Sequence, residues 1–356
     1  MALAVVRDLH ALKGPPSESQ VADLETDVVA GFVLARAAAG ITDRTIEGNL
    51  TDLEQIRAWF GAPIWAMQPK DADRFFGTVL RHAAATTRYG KASTLSLFFA
   101  YLELRHRAEI YALTGVVPQC PIDEMNRPRN PQCLIRIPPS EQEMQTLLTG
   151  WREDLASCRK YATAARNFAV CRLMTQVGSR VKETLQLDVC DVRWDLGRFG
   201  KVLLRFGKGS RGRGPKQRLV PLINGARGTL EWFVEDVWGQ FGDDWDRLGA
   251  PLFPSERKSS DGGCFRLTAE QVRVALAEAV VRHLPAWQGR LTPHVLRHYC
   301  ASQLYLSGMD LWAIQELLGH TWALTTMRYV HVARTHIEES WLRGQERAAR
   351  RLEGAR

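Results

Sequence analysis

Apolar residues in the first third of the chain recur at helical spacing between short polar breaks. The stretch 26–40 ends at a glycine, as a helix C-terminus commonly does. The next stretch, 42–61, carries one apolar stripe that consists of Ile46, Leu50, Leu53, Ile56 and Phe60. A third stretch, 69–84, has four apolar side chains that should face inward: Phe75, Phe76, Val79 and Leu80. With a fourth stretch at 92–107, the pattern predicts a small four-helix bundle over residues 21–115, after an N-terminal tail at 1–20.

Prolines then concentrate in the segment 116–139, which contains six of them. Proline at this density ends helices and makes a semi-rigid spacer. We therefore predict a domain linker over 116–139 and a second domain that begins at residue 140.

The second domain mixes helical and strand-like patterns. Ser140 opens a capping box, and a longer helical stretch, 162–178, ends at a glycine. Two strand-like runs, 201–206 and 217–223, flank a glycine-rich turn and predict a β-hairpin. Further helix starts are predicted where a capping residue precedes an apolar stretch, at Thr268, Thr292 and Asp310. This order predicts an α+β domain with a small antiparallel sheet over 140–335, followed by a helix-like tail at 336–356.

The formal net charge of +8 is unevenly placed along the chain. Residues 1–137 hold 15 basic and 15 acidic residues, whereas residues 138–356 hold 32 and 24. Within the neutral part, the segment 70–107 has seven basic residues against three acidic ones. Such local surpluses favour a polyanionic partner. The basic residues that could line one face of the bundle are Arg81, Arg88, Lys91, Arg105 and Arg107, and an ordinary solvated surface is the alternative for them.

Composition also bears on the compartment. Seven cysteines, without any C-x-x-C spacing, are typical of reduced thiols in a cytosolic protein. The N-terminal apolar run, ALAVV, is too short for a signal peptide, and no run of 18 apolar residues predicts a transmembrane helix. We therefore expect a cytoplasmic protein.

The turn of the predicted hairpin reads GKGSRGRGPK at 207–216 and fits the pattern G-x-G-x-x-G. A dinucleotide-binding turn has to open a helix, but this one leads into a second strand. A phosphate-binding P-loop is excluded as well, because Arg213 and Gly214 stand where it needs Lys and Ser or Thr. The glycines therefore predict a long, basic hairpin tip, which in isolation is read as a solvated turn.

Two motifs in the second domain place charged and imidazole side chains beside helix ends. Arg180 follows a helix stop, and Glu183 lies three residues on, where it could pin the guanidinium. His294 and Arg297 share one face of a predicted helix. His294 and His298 also have the i, i+4 spacing of a zinc site, but the sequence lacks the Glu that a metalloprotease carries after its first His. No third ligand is close in sequence, so we expect no metal.

A last motif supplies a nucleophile. His320 directly follows the predicted stop of the helix that begins at Asp310, and Tyr329 lies nine residues further on. Together with the residues above, these groups make a site for a phosphodiester that works without metal. Two arginines can bind the non-bridging oxygens, and Tyr329 can attack phosphorus in line. His294 can accept or relay the phenol proton, and His320 can donate to a phosphate oxygen.

The leaving group of such a reaction is a deoxyribose 5′ oxygen, which needs an acid. Lys208, carried by the glycine-rich hairpin, fits that task, and the glycines would let the loop approach a narrow groove closely. Lys216 at the other end of the loop is the competing candidate. Arg211, Arg213 and Lys216 are further candidates for DNA contacts.

The order of these motifs resembles that of the tyrosine recombinase, or phage integrase, family. Members carry G-x-R-x-x-E, then G-K-G on a hairpin, then H-x-L-R-H, then L-G-H and a tyrosine nine residues on. Here the motifs begin at Gly178, Gly207, His294 and Leu318 and end at Tyr329. The G-K-G context favours Lys208 as the acid. One departure is length, since 114 residues separate Arg180 from His294, and the excess is assigned to 224–266.

The resemblance implies a fold and an activity. The first domain would be the family's core-binding domain, a four-helix SAM-like bundle, which closes with the α+β catalytic domain around duplex DNA. Catalytic roles would fall to Arg180, Lys208, His294, Arg297, His320 and Tyr329, with Glu183 and His298 in support. The reaction would cut and rejoin DNA through a 3′-phosphotyrosyl intermediate, which conserves the energy of the broken bond and needs no cofactor.

The family reading also implies partners. Four protomers would synapse two sites and exchange strands through a Holliday junction, with accessory DNA-bending or directionality factors as further partners. The tail at 336–356 would dock on a neighbouring protomer. Two alternatives stay open at this point: a type IB topoisomerase, which shares the chemistry and relaxes DNA as a monomer, and a DNA-binding protein that has lost catalysis.

Overall fold

A computed structural model of the chain describes residues 16–129, 137–207 and 216–319, together with Trp341 and Gln345. For Phe206, Gly207 and Lys216 it describes the backbone only. The chain divides into two units, Met1–Cys133 and Leu134–Arg356. None of the described helices is both long and apolar enough to cross a membrane.

The first unit is a helical bundle, as predicted. Its helices are α1 (Glu18–Ala38), α2 (Asp43–Phe60), α3 (Pro69–Arg74), α4 (Ala85–Arg105) and α5 (Arg107–Thr114). α1 begins before the apolar stretch that predicts it, because Ser17 and Gln20 form a capping box there. The short α5 is an addition to the four helices that the pattern indicates. The core includes Phe32 and Phe98, whose rings meet edge to face at 5.3 Å.

The third predicted helix is interrupted by a wider turn. After α3, residues Phe75–Val79 form a π-helical turn, in which the Leu80 N–H donates to the Phe75 carbonyl. Phe75, Phe76 and Leu80 are buried as predicted, but Val79 is 50% exposed. The prediction for Val79 is wrong because the π-turn changes the residue spacing of the helix and turns this side chain outward.

The second unit combines helices with two small antiparallel sheets. Its helices are α6 (Glu141–Asp154), α7 (Tyr161–Val177), α8 (Val181–Leu185), α9 (Ala226–Trp232), α10 (Ala269–His283), α11 (Pro293–Leu306) and α12 (Leu311–Leu318). Its strands are β1 (Val192–Arg193), β2 (Lys201–Gly207), β3 (Lys216–Pro221), β4 (Pro254–Lys258) and β5 (Cys264–Arg266). The predicted α+β class is confirmed.

Local sequence signals fix the ends of the helices around the site. The Asp310 side chain accepts from the backbone N–H groups of Trp312 and Ala313 at the start of α12. Gly178 and Gly319 end α7 and α12 in the left-handed conformation. Gly178 is also sterically required, since a Cβ there would lie 2.4 Å from Leu318 Cδ2.

The predicted hairpin is the central part of the first sheet, whose strand order is β1-β2-β3. In its register, Val202 pairs with Val220 and Leu204 pairs with Arg218. Paired residues of antiparallel strands lie on the same face. Because Val202, Leu204 and Val220 are fully buried, Arg218 also lies on the inner face.

The segment 224–266, the assigned location of the extra length, forms part of the core of the second unit. It contributes α9, β4 and β5 and several buried apolar side chains: Phe233, Val237, Trp238 and Phe253. The Trp238 indole N–H donates to the Pro251 carbonyl at 3.1 Å. The segment is therefore integrated into the hydrophobic core of this unit.

Candidate active site

The carboxylate of Glu183 organises the beginning of α8. Arg180 is the N-cap of this helix, and Glu183 reaches back to accept from the Arg180 backbone N–H at 3.0 Å. The Arg180 side chain donates from Nη1 to Glu183 Oε1 at 2.6 Å. Glu183 is buried, whereas 29% of the Arg180 side chain is exposed. The ion pair thus holds Arg180 at the surface end of a buried carboxylate.

Arg297, on α11, also lies close to this carboxylate. Its Nη1 donates to the Gly178 carbonyl at 2.6 Å, and its Nη2 donates to the Leu318 carbonyl at 2.7 Å. Nη1 also lies 3.9 Å from Glu183 Oε2. Arg297 is fully buried, so its charge is held by these oxygens at the ends of α7 and α12. The structure therefore brings the first and third sequence motifs into contact.

A third arginine belongs to this cluster and was missed in the sequence. Arg218, on β3, donates to both oxygens of Glu183, from Nη2 at 2.8 Å and from Nη1 at 3.2 Å. Its Nε donates to the Leu317 carbonyl at 3.0 Å. The signal was present, because alternation along the strand puts Arg218 in phase with the apolar Val220 and Leu222. An arginine at an inward position of a strand indicates a buried partner.

The electrostatics of the cluster are dominated by its cations. Burial by itself raises the pKa of Glu183, but the hydrogen bonds and charges of Arg218 and Arg180 outweigh it and lower the pKa to about 2. Glu183 is therefore ionised at neutral pH. Three guanidinium groups around one carboxylate leave a net charge of two positive units, which suits a doubly negative, five-coordinate phosphoryl group.

The two histidines of α11 contact each other. The rings of His294 and His298 meet edge to face with their centroids 4.8 Å apart. His294 is exposed and His298 is buried. Within the described ranges, no three or more His, Cys, Asp or Glu residues gather as they would around a metal ion. The His294 side chain is therefore accessible from solvent, whereas His298 is packed inside the unit.

Several predicted site residues lie outside the described residues: Lys208, Arg211, Arg213, His320 and Tyr329, with most of the tail at 336–356. The elements that lead to them are described. β2 ends at Gly207 and β3 begins at Lys216, so the loop of Lys208 starts and finishes at this pair of strands. α12 ends at Leu318, directly before the Gly319 turn that leads to His320.

The basic residues of the first unit separate into two groups. Arg81, Arg105 and Arg107 are exposed, and Arg88 is half-buried. Lys91 is buried on α4, where its Nζ donates to Asp52 Oδ1 at 2.7 Å and to Gln55 Oε1 at 2.6 Å. We correct the prediction for Lys91 accordingly, because an ammonium group that joins α4 to α2 is not available to a DNA phosphate.

Comparison with known proteins identifies the family to which the chain belongs. The model of the phage integrase family matches residues 141–336, which is more than half of the chain, and the chain belongs to this family of tyrosine recombinases. The tyrosine recombinase XerD of Rhizobium meliloti (strain 1021) is 28% identical over 326 residues, which cover 88% of this chain and 94% of that protein. XerC of Anoxybacillus flavithermus (strain DSM 21510 / WK1) is 32% identical over 222 residues, covering 62% of this chain and 68% of the relative.

Solved structures agree on the fold. The XerH site-specific recombinase, in a post-cleavage complex with its palindromic difH substrate, has a TM-score of 0.62 and 19% identity, covering 91% of this chain and 83% of that one. The Tn1549 transposon integrase, in complex with a circular intermediate DNA, has a TM-score of 0.61 and 15% identity. The match covers 90% of this chain and 98% of that one. The predictions of a tyrosine recombinase fold and of a strand-exchange enzyme are confirmed at the level of the class. The topoisomerase and silent-protein alternatives are not favoured.

Proposed function

We propose that this chain cuts and rejoins duplex DNA at specific sites, with Tyr329 as the nucleophile and the cluster around Glu183 as the phosphate-binding site. The observation that carries the proposal is the convergence of Arg180 and Arg297 on one buried carboxylate. Both the Lys208 loop and the segment that carries His320 and Tyr329 begin at elements that contact this cluster. The DNA-bound complexes of XerH and the Tn1549 integrase support duplex DNA as the partner.

The chemical step follows from the roles proposed for these residues. The Tyr329 hydroxyl oxygen attacks phosphorus and forms a P–O bond, while the bond from phosphorus to the deoxyribose 5′ oxygen breaks. The phenol proton passes to His294, and the departing 5′ oxygen takes a proton from Lys208. Arg180 and Arg297 neutralise the non-bridging oxygens, and His320 donates to one of them. The reverse attack by a new 5′ hydroxyl completes the exchange, without a cofactor.

We further propose that four protomers act together on two DNA sites through a Holliday junction. The tail at 336–356 would dock on a neighbouring protomer, and accessory DNA-bending or directionality factors would assist. The exposed arginines of the first unit, with Arg211, Arg213 and Lys216 of the hairpin, would contact the DNA backbone. The enzyme would work in the bacterial cytoplasm on DNA of the nucleoid or of a mobile element.

Covalent trapping tests the proposal. Fragments of the source genome, nicked so that religation fails, are incubated with the enzyme, and protein–DNA adducts are recovered under denaturing conditions and sequenced. We expect adducts at a defined sequence for the wild type and none for Tyr329→Phe, which keeps the ring and loses the nucleophilic oxygen. The same recovered duplex should still be bound by Tyr329→Phe in a non-denaturing assay.

Two other tyrosines provide the controls. Tyr299 and Tyr305 lie on α11, and burial raises the pKa of Tyr299 to about 12, which makes it a poor nucleophile. Tyr299→Phe and Tyr305→Phe should therefore form adducts normally. An adduct with Tyr329→Phe would reject the assignment of the nucleophile. A supercoiled plasmid that is relaxed by the wild type, with no strand exchange between two sites, would instead indicate a relaxing enzyme.

A further inference from the structure

We propose that Arg218 is a positioning residue of this active site. It donates to both oxygens of Glu183 and so offsets the negative charge of this carboxylate, which leaves the charges of Arg180 and Arg297 available to the substrate. It also connects β3 of the Lys208 hairpin to the last turn of α12. The inference rests on the proposed function, because it assigns a role within that site. Within the described residues, the side-chain hydrogen bonds of Arg218 go to Glu183 on α8 and to the Leu317 carbonyl on α12.

The geometry of Arg218 is that of a fixed connector. Only 9% of its side chain is exposed, and its three donor nitrogens all have partners, two on Glu183 and one on the Leu317 carbonyl. A forked pair of hydrogen bonds to a carboxylate fixes the guanidinium in direction as well as in distance. The contact on Leu317 lies one residue before the end of α12. One side chain therefore connects β3, α8 and α12.

Gly319 accommodates this connection. A Cβ at Gly319 would lie 2.9 Å from Arg218 Nη1, and the backbone there has a φ of 67°. The glycine thus serves both the left-handed turn and the close approach of the guanidinium. The turn that leads to His320 is in this way packed directly on Arg218.

The charge balance gives Arg218 a second effect. With Arg218 present, the three arginines and Glu183 sum to two positive units. Without it, the buried carboxylate would keep its negative charge, and only Arg180 and Arg297 would remain to neutralise it. The net charge of the cluster that faces a phosphate would then fall from two positive units to one. Replacing Glu183 by glutamine at the same time restores two positive units. Substitutions at these two positions should therefore be coupled.

Single-turnover adduct formation on the recovered nicked duplex, at saturating DNA, tests the idea. We expect Arg218→Met to lower the rate roughly 10- to 100-fold while the Kd for the same duplex stays within about threefold. Arg218→Lys should regain part of the rate, because it keeps the charge and loses the fork. Arg218→Met combined with Glu183→Gln should be faster than Arg218→Met alone.

A matched control separates this role from general destabilisation. Arg247 forks onto the buried Asp243 at 3.0 and 2.8 Å in the segment that follows α9, so Arg247→Met removes an equivalent partner from a buried carboxylate. It should lower the melting temperature and leave the adduct rate of the folded enzyme unchanged. An Arg218→Met enzyme that cleaves at the wild-type rate, or a double variant no faster than Arg218→Met, overturns the inference. If the wild type itself forms no adduct, it is the proposed function that fails.

Discussion

Arg297 and Gly178 lie 119 positions apart in the chain, yet the Arg297 guanidinium donates to the Gly178 carbonyl at 2.6 Å. A second bond to the Leu318 carbonyl makes this arginine a link between α7, α11 and α12. Its position is therefore determined by the packing of three helices, and the site forms only when the second unit is folded.

Arg297→Lys should show how much this geometry matters. Lysine keeps the charge but ends in a single nitrogen instead of a planar guanidinium. At least one of the carbonyl oxygens of Gly178 and Leu318 therefore loses its donor. We expect adduct formation to fall about 100-fold or more and the urea midpoint to fall as well. Arg282→Lys is the control, since Arg282 is exposed and pairs with Asp154, and it should leave both measurements close to the wild type. A wild-type rate for Arg297→Lys would mean that charge alone is sufficient.

The role of the hairpin lysine can be tested by changing the leaving group. If Lys208 protonates the departing 5′ oxygen, Lys208→Ala should be slow on normal DNA and largely rescued on DNA with a 5′-bridging phosphorothiolate, since a thiolate leaves without a proton. Arg180→Ala and Arg297→Ala should be rescued much less, because they act on the non-bridging oxygens. The same comparison with Lys216→Ala decides between the two lysines. If Lys208→Ala is equally slow on both DNAs, Lys208 is not the general acid, and its loop serves only to contact DNA.

Truncation after Val332 should separate assembly from binding. The removed residues, 333–356, contain the helix-like sequence THIEESWLRGQERAARRLEG, to which the site chemistry gives no role. We expect the shortened enzyme to bind a single site normally and to lose synapsis of two sites, as measured by gel mobility of the two complexes. Equal losses in both assays would indicate that the tail packs on its own protomer.

Lys91 and Arg107 should respond in opposite ways to substitution by methionine. Lys91→Met removes the donor that joins Asp52 and Gln55, so it should lower the free energy of unfolding by about 1–3 kcal/mol and change DNA affinity little. Arg107 is exposed, so Arg107→Met should keep stability and weaken DNA binding, with a salt dependence reduced by about one charge. Urea denaturation and fluorescence anisotropy measure the two effects. Weaker binding by Lys91→Met at unchanged stability would contradict its structural role.

The pKa of Glu183 predicts a pH dependence of stability. Because the folded-state pKa is lowered from 4.5 to about 2, the ionised carboxylate stabilises the fold above pH 4.5, and this contribution is lost as the pH falls towards 2. At neutral pH, Glu183→Gln should therefore cost up to about 3 kcal/mol, and the deficit should shrink progressively below pH 4.5. Asp243→Asn should behave similarly over a narrower range, since the Asp243 pKa is lowered from 3.8 to about 2. A deficit that does not vary with pH would assign the effect to packing.

Helix ends and the hairpin were predictable because each depends on a few neighbouring residues. The capping boxes at Ser140 and Thr268 and the glycine stops at Gly178 and Gly319 lie where the sequence indicates. The π-turn that exposes Val79 was not predictable, since it depends on how the bundle packs and not on spacing along one helix.

Side-chain partners were harder to predict than elements. Glu183 was expected to hold Arg180, because they are one helical turn apart. Arg218 was missed because strand alternation indicates an inward-facing arginine but does not identify its partner, Glu183, 35 residues away. Lys91 was misassigned for a similar reason. Its spacing along α4 does not show that Asp52, on α2, lies opposite its ammonium group.

The two carbonyls that hold Arg297 have a consequence for how a substrate enters. Each lies at the C-terminal end of a helix, where the backbone carries partial negative charge, so these dipoles compensate the buried cation together with the Glu183 carboxylate 3.9 Å away. In the proposed reaction, an arriving phosphate would therefore meet a guanidinium whose direction is already fixed by two backbone carbonyls. It adds its oxygens to N–H groups that the fold already holds in place, so the empty enzyme is preorganised and little reorganisation energy remains to be supplied by binding.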